Sequence, residues 1–200
     1  MSVPKEYKAT ITREQFLFLE TRIIARLQIE GNSKKEILDR CISENLLEMP
    51  TEKSIAVLTR SILRKLDCVD EGIVKLIATA DIEIAKQANL YAMMCFNRIV
   101  WDFMIHVIGR KYETFDLTFA KSDVNLFFKS LQEQNEQIAS WSDSTVERIK
   151  NILIKMLCET EYLDSIKSET LNPVYLDDSI KEIIEKCGDE IVLPAFNCLR

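Results

Sequence analysis

Four glycines in 200 residues, where average usage near 7% would give about 14, set the first limit on what this chain can fold into. Glycine supplies the positive-φ and close-approach positions of phosphate-cradling loops, dinucleotide fingerprints and tight β-hairpins. With only four prolines beside them, the chain has little punctuation, and a mostly helical protein is expected. Hydrophobic residues at 47% and charged residues at 29% are ordinary for a folded globular protein and exclude a disordered or fibrous chain. The length is enough for a substantial core without disulfide or metal support.

Local signals divide the chain. Thr12 and Gln15 have capping-box spacing, with Ile11 and Phe16 placed as a hydrophobic staple, so a first helix is expected over residues 12–30 with Gly31 as its stop. Ser33 and Glu36 repeat the box and open a short helix to about residue 44, with Ile37, Leu38, Cys41 and Ile42 inward. After Pro50, a third helix over 52–66 puts Ile55, Leu58, Thr59, Ile62, Leu63 and Leu66 on one arc. Residues 71–111 are helical and apolar on most sides, and 92–109 reads as the buried central helix. Asn97, Arg98, Asp102 and His106 interrupt that stretch, so it fails as a membrane span. Ser122 is placed to cap a helix carrying Val124, Leu126, Phe127 and Leu131, and a polar stretch, 132–140, marks a soft boundary between domains 1–140 and 141–200. Ser142 then opens a helix with Val146, Ile149, Ile152, Leu153, Met156 and Leu157 in one stripe, ending near Thr160. Residues 162–166 and 171–176 suggest two short strands, the second an edge strand because of Pro173, before a final helix over 178–187 stopped by Gly188.

Catalysis finds no foothold: there is no nucleophile elbow, zinc-protease motif or P-loop, and the single histidine, His106, sits in the most apolar stretch and is expected in the core. No enzyme, catalytic residue or cofactor is expected. Six scattered cysteines without a C-x-x-C pair argue against zinc; Cys95 and Cys158 read as small core hydrophobes, and reduced thiols fit the cytoplasm. The acidic groups Glu159/Glu161/Asp164 and Asp177/Asp178 are better explained by helix ends than by a metal. The N-terminal MSVPKEYKAT has no apolar run for a signal peptide.

Net charge is −6, yet it is unevenly spread: residues 1–66 hold 12 basic and 9 acidic side chains, 67–140 hold 7 and 11, and 141–200 hold 7 and 12. The basic third coincides with three successive helices, an arrangement able to present its last helix to a DNA major groove. Lys53, Val57, Arg60 and Arg64 fall about 140–200° from Ile55 at 100° per residue, opposite the core arc, with Glu52 off the stripe. Such spacing suits contacts to phosphates and guanine edges. Lys65 is counted with this stripe, and Lys34 and Lys35 add charge at the start of the preceding helix, where free N–H groups favour phosphate. An ordinary solvated helix face has the same pattern. A second case, at 141–176, resembles a winged helix with Arg148, Asn151 and Lys155 outward, though Glu147, Glu159 and Glu161 crowd it.

The segments YKATITREQFLFLETRIIARLQIEG (7–31), TEKSIAVLTRSILRKL (51–66), WSDSTVERIKNIL (141–153) and LNPVYL (171–176) give the chain a resemblance to the BrxA family of BREX bacteriophage-exclusion systems over nearly its whole length. The resemblance implies an all-α multi-helix bundle similar to the NusB antitermination fold, to which the reading of the residues adds an N-terminal helix-turn-helix and a C-terminal winged-helix-like segment with two short strands. It also implies a cytoplasmic accessory protein that binds double-stranded DNA beside a methyltransferase, a phosphatase-like protein and an ATPase. It supplies no contact residues. An RNA-binding protein of the antitermination type and a protein-interaction scaffold without nucleic-acid binding stay open as alternatives.

Overall fold

A computed structural model describes residues 6–199. The first five residues of the N-terminal stretch discussed above, and Arg200, lie outside it. Every regular element among the described residues is helical: α1 (Phe18–Ile29), α2 (Lys34–Ser43), α3 (Glu52–Leu66), α4 (Glu71–Thr79), α5 (Ile82–Phe96), α6 (Arg98–Phe103), α7 (Arg110–Glu113), α8 (Lys121–Gln134), α9 (Glu136–Ala139), α10 (Asp143–Glu159) and α11 (Asp178–Lys186). A 3-10 helix at Ala9–Thr12 precedes α1, a π-helical turn at Met104–Gly109 joins α6 to α7, and a second 3-10 helix, Glu190–Phe196, closes the chain. No described helix is long and apolar enough to cross a membrane.

The amphipathic helices follow their sequence pattern. In α2 the Ser33 hydroxyl accepts from the Glu36 N–H while the Glu36 carboxylate accepts from the Ser33 N–H. The full expected arc of α3 is buried, as is the stripe of α10. Ser142 caps α10, and Thr160 ends it.

The first helix starts later than its capping-box spacing predicts. The Thr12 hydroxyl donates back to the Ala9 carbonyl, which closes a 3-10 turn, and the chain reaches α1 only through Leu17 in a left-handed conformation (φ 46°). Helix α1 lies against α4, where the Arg22 and Arg26 guanidiniums donate to the Ala80 and Ala78 carbonyls. These are the orphan acceptors at the negative end of α4.

The apolar stretch is buried as expected but is not one helix. Asn97 leaves helical geometry at φ −129°, and its side chain accepts from the N–H groups of Ile99 and Val100, ending α5 and capping α6 in one residue. His106 is exposed rather than in the core, because the π-helical turn shifts the helix phase and points its ring outward, 3.9 Å from the Asp102 carboxylate. Gly109 lets that turn meet the C-terminal 3-10 helix: a Cβ there would sit 3.1 Å from the Ala195 backbone nitrogen.

Other corrections concern the second half. Ser122 lies inside α8, whose first turn is held instead by the Asp123 carboxylate accepting from the Ala120 N–H, and Leu126 is exposed. Cys95 is buried but Cys158 only partly so. The two expected strands do not form. Residues 162–176 run as an irregular segment whose one bridge joins Thr118 to Thr170. Pro173 offers no N–H, and Asn172 directs its amide to the Glu161 carbonyl and the Asp164 carboxylate. The apolar side chains Tyr162, Leu163 and Leu171 plug the core. The tyrosine hydroxyls tie the segment down, Tyr112 to the Asn172 carbonyl and Tyr162 to the Ala195 carbonyl. There is accordingly no wing beside α10.

Candidate nucleic-acid interface

The helix signals that place α2 and α3 also place their charges. With one face of α3 committed to the core, Lys53, Val57, Arg60 and Arg64 are all exposed along the opposite edge. Between that edge and α2 runs a groove of about 700 Å³ lined by Lys34, Lys35, Leu38, Val57, Arg60, Leu63, Arg64 and Asp67. Its apolar lining is Leu38, Val57 and Leu63, and its charged lining is four cations and one carboxylate, Asp67.

The cations are not equivalent. Lys34 places Nζ 2.6 Å from the Asp67 carboxylate, tying the start of α2 to the end of α3. Arg64 lies 3.3 Å from Glu14, which also accepts the Ser61 hydroxyl at 2.6 Å. Lys35, Lys53 and Arg60 form no ion pair among the described residues. The anion site expected at the start of α2 is weakened by its own cap: hydrogen bonds from the Ser33 hydroxyl and backbone hold the Glu36 carboxyl below its usual range, so a carboxylate already occupies that helix end.

Lys65 does not belong to the stripe. Its side chain is 4% exposed, with Nζ donating to the Thr21 hydroxyl (2.8 Å), the Asn89 side-chain carbonyl (3.0 Å) and the Phe16 carbonyl (3.4 Å). Burial pushes the amine down to about 7, partly opposed by Glu20 and Glu14. It is a structural lysine joining α1, α3 and α5, and it cannot reach a duplex.

Arg148 and Lys155 are both exposed on α10 but do not work together. Arg148 lines a cleft of about 610 Å³ with Lys8, Thr10, Thr12, Arg13, Gln137, Ser144 and Thr145. Lys155, two turns further on, shares its surroundings with Glu159, whose carboxyl is pushed up by burial and by Glu20 and drawn down by Lys86 and Lys155. Sequence reasoning missed Arg13 because it placed it inside a first helix starting at Thr12, and missed Lys8 because nothing local relates that residue to α10. The same segment connects the two basic regions: Arg13 lines the α10 cleft while Glu14, beside it, bonds to Ser61 and Arg64 of α3.

The BrxA family model matches residues 5–188. The chain belongs to the BrxA family. It is 31% identical over 188 residues to the BREX protein BrxA of Bacillus cereus, covering 94% of each chain, and 24% identical to the BREX protein BrxA of Escherichia coli O9:H4, covering 86% of this chain and 80% of that one. The crystal structure of an uncharacterized protein from Magnetospirillum magneticum shares the fold at a TM-score of 0.81, with 20% identity over 96% of this chain and 99% of the other. Other BREX proteins are therefore the expected partners of this BrxA-family chain.

Proposed function

We propose that this BrxA-family protein is a non-catalytic subunit of BREX phage defence that binds double-stranded DNA in the cytoplasm and works beside the system's methyltransferase, phosphatase-like protein and ATPase. In this reading α1–α3 act as a helix-turn-helix-like unit with α3 toward the major groove. The observation that carries it is a set of cations without an ion pair among the described residues, Lys53 and Arg60 on the exposed edge of α3 and Lys35 across the groove on α2, in a chain that is otherwise acidic. Lys53 and Arg64 are separated by about 16 Å along the helix axis at 1.5 Å per residue, a span that fits within a groove crossing. The apolar lining at Leu38 and Val57 suits sugar and thymine-methyl contact between phosphate contacts.

The test is fluorescence anisotropy of a labelled duplex at several salt concentrations, with matched single-stranded RNA as competitor. The Lys35→Ala/Lys53→Ala/Arg60→Ala variant removes no ion pair among the described residues and is expected to lose about 0.9 of log–log salt slope per phosphate contact. Unchanged binding by that variant overturns the site, and the cleft of Lys8, Arg13 and Arg148 becomes the interface. Preferential competition by RNA favours the antitermination-type reading, and no binding to either nucleic acid leaves a protein scaffold.

A further inference from the structure

A second surface lies where α7 ends and the C-terminal 3-10 helix begins. The chain leaves α7 through a left-handed closure in which the Phe115 N–H donates to the Tyr112 carbonyl and the Asp116 N–H to the Lys111 carbonyl. Glycine is usual at the residue that turns left-handed in this motif. Here it is Phe115, at φ 56°, and its ring is 82% exposed. A large apolar side chain is thus held in water by a strained backbone that gains nothing from burying it. Ile191, 63% exposed, and Leu199 stand beside it around a groove of about 770 Å³ completed by Leu193 and Pro194. Glu113 and Glu190 are the charged residues of its lining among the described residues.

The groove is pre-shaped. The Tyr91 hydroxyl donates to Asp189 and the Tyr162 hydroxyl to the Ala195 carbonyl, anchoring the 3-10 helix at both ends, while Gly109 sits against Ala195. Scattered exposed apolar residues need no explanation, but several around one rigid groove mark an interaction site. Strain at a fixed, exposed aromatic points the same way.

We infer that this groove is the docking surface for a partner protein, and that it takes an amphipathic segment whose apolar side packs on Phe115 and Ile191 and whose flanking Lys or Arg meets Glu113 and Glu190. Nucleic acid and anionic lipid are disfavoured by the two carboxylates. A second copy of this chain would have to offer such chemistry from another face, such as α2/α3, where Val57 lies among cations; a contact of that kind would be head-to-tail and would extend without closing unless its rotation formed a ring. The inference does not depend on DNA binding.

A photo-crosslinking residue, p-benzoylphenylalanine, replaces Phe115 in the full chain, which is irradiated with the purified proteins of the same BREX system. The expected product is one adduct, mapped by mass spectrometry to a partner segment with apolar residues flanked by Lys or Arg. The Glu113→Lys/Glu190→Lys and Phe115→Ser/Ile191→Ser variants, all at exposed or partly exposed positions, are expected to weaken that complex at least tenfold while circular dichroism and duplex affinity stay unchanged. No adduct, an adduct only between copies of this chain, or an adduct to an acidic segment overturns the inference, as does a complex indifferent to both variants.

Discussion

Lys65 permits a quantitative test of how the N-terminal helices are held. Its ammonium is buried against three neutral oxygens and touches no carboxylate. Those oxygens are otherwise arranged to accept: the Thr21 hydroxyl donates away to the Leu17 carbonyl and the Asn89 amide donates to the Phe16 carbonyl. Burial lowers the amine from 10.5 to about 7 in the fold. A lysine whose folded value is depressed destabilises the protein fully below that value, and stability returns as pH rises, because between the two values the unfolded chain binds the extra proton. From pH 7 to 8.5 the linkage relation gives a gain of about 1.6 kcal/mol. In urea, with a slope of about 2–3 kcal/mol/M, the midpoint should rise by about 0.5–0.8 M. The window ends there because buried thiols act in the opposite sense at higher pH: Cys95 is pushed up to about 12 in the fold, so above about 9 the unfolded chain gives up a thiol proton that the fold retains, and stability falls. Lys65→Met keeps the apolar stem and removes the titration. It leaves acceptors unpaired at about 1–3 kcal/mol each, offset by relief of the buried charge. Whatever its absolute stability, the difference between wild type and variant should grow by about 1.6 kcal/mol over the window, since every other titrating group cancels. Equal slopes for the two proteins would refute the placement of this lysine.

Two further changes probe the second half of the fold. Gly109→Val forces a side chain against the Ala195 backbone, and thermal denaturation should report a loss of about 2 kcal/mol. Phe115→Gly replaces a left-handed, exposed aromatic with the residue that conformation favours, so the protein should become about 1 kcal/mol more stable by urea titration, even as partner docking is lost.

Much of this fold was legible because its signals are local. Ser33 and Glu36 are a complete capping box, and the phase of α3 and α10 follows from apolar residues that leave one side polar. Where a helix is apolar all round, phase carries no information: nothing in residues 92–109 marks Asn97 as a break or turns His106 outward, since both depend on neighbouring elements. The late start of α1 depends on Leu17 adopting a conformation leucine rarely takes. The absent strands were an apolar pattern satisfied by tyrosine anchors instead of a ladder. Lys65 could have been separated from the stripe, for it lies about 100° around the helix from Arg64, on the shoulder of the core arc. The Arg64–Glu14 and Lys34–Asp67 pairs join residues 50 and 33 positions apart, so no helical spacing could have revealed that these two cations are already engaged.

That engagement sets the salt dependence expected of DNA binding. If only Lys35, Lys53 and Arg60 meet phosphates, the log–log slope is about −2.7 and affinity falls about 40-fold from 50 to 200 mM salt. If Lys34 and Arg64 exchange Asp67 and Glu14 for phosphate, five contacts give about −4.5 and a loss of about 500-fold. The smaller slope is expected, because each exchange strands a carboxylate beside the duplex, and Glu14 is mostly buried. Overall charge acts at a different range. At 0.15 M the screening length is about 8 Å, so a bound duplex senses the α2/α3 edge and little of the acidic remainder. At 0.01 M it is about 30 Å, comparable with the diameter of a domain of this size, so carboxylates beyond the edge, such as Glu182 and Glu185 exposed on α11, come into range. The plot should therefore flatten toward low salt, and Glu182→Lys/Glu185→Lys should straighten it without changing the slope above 0.1 M. A line already straight to 0.01 M in the wild type would mean that the duplex lies beyond reach of the acidic surface, or bridges the α3 edge and the Arg13–Arg148 cleft with enough contacts to outweigh it.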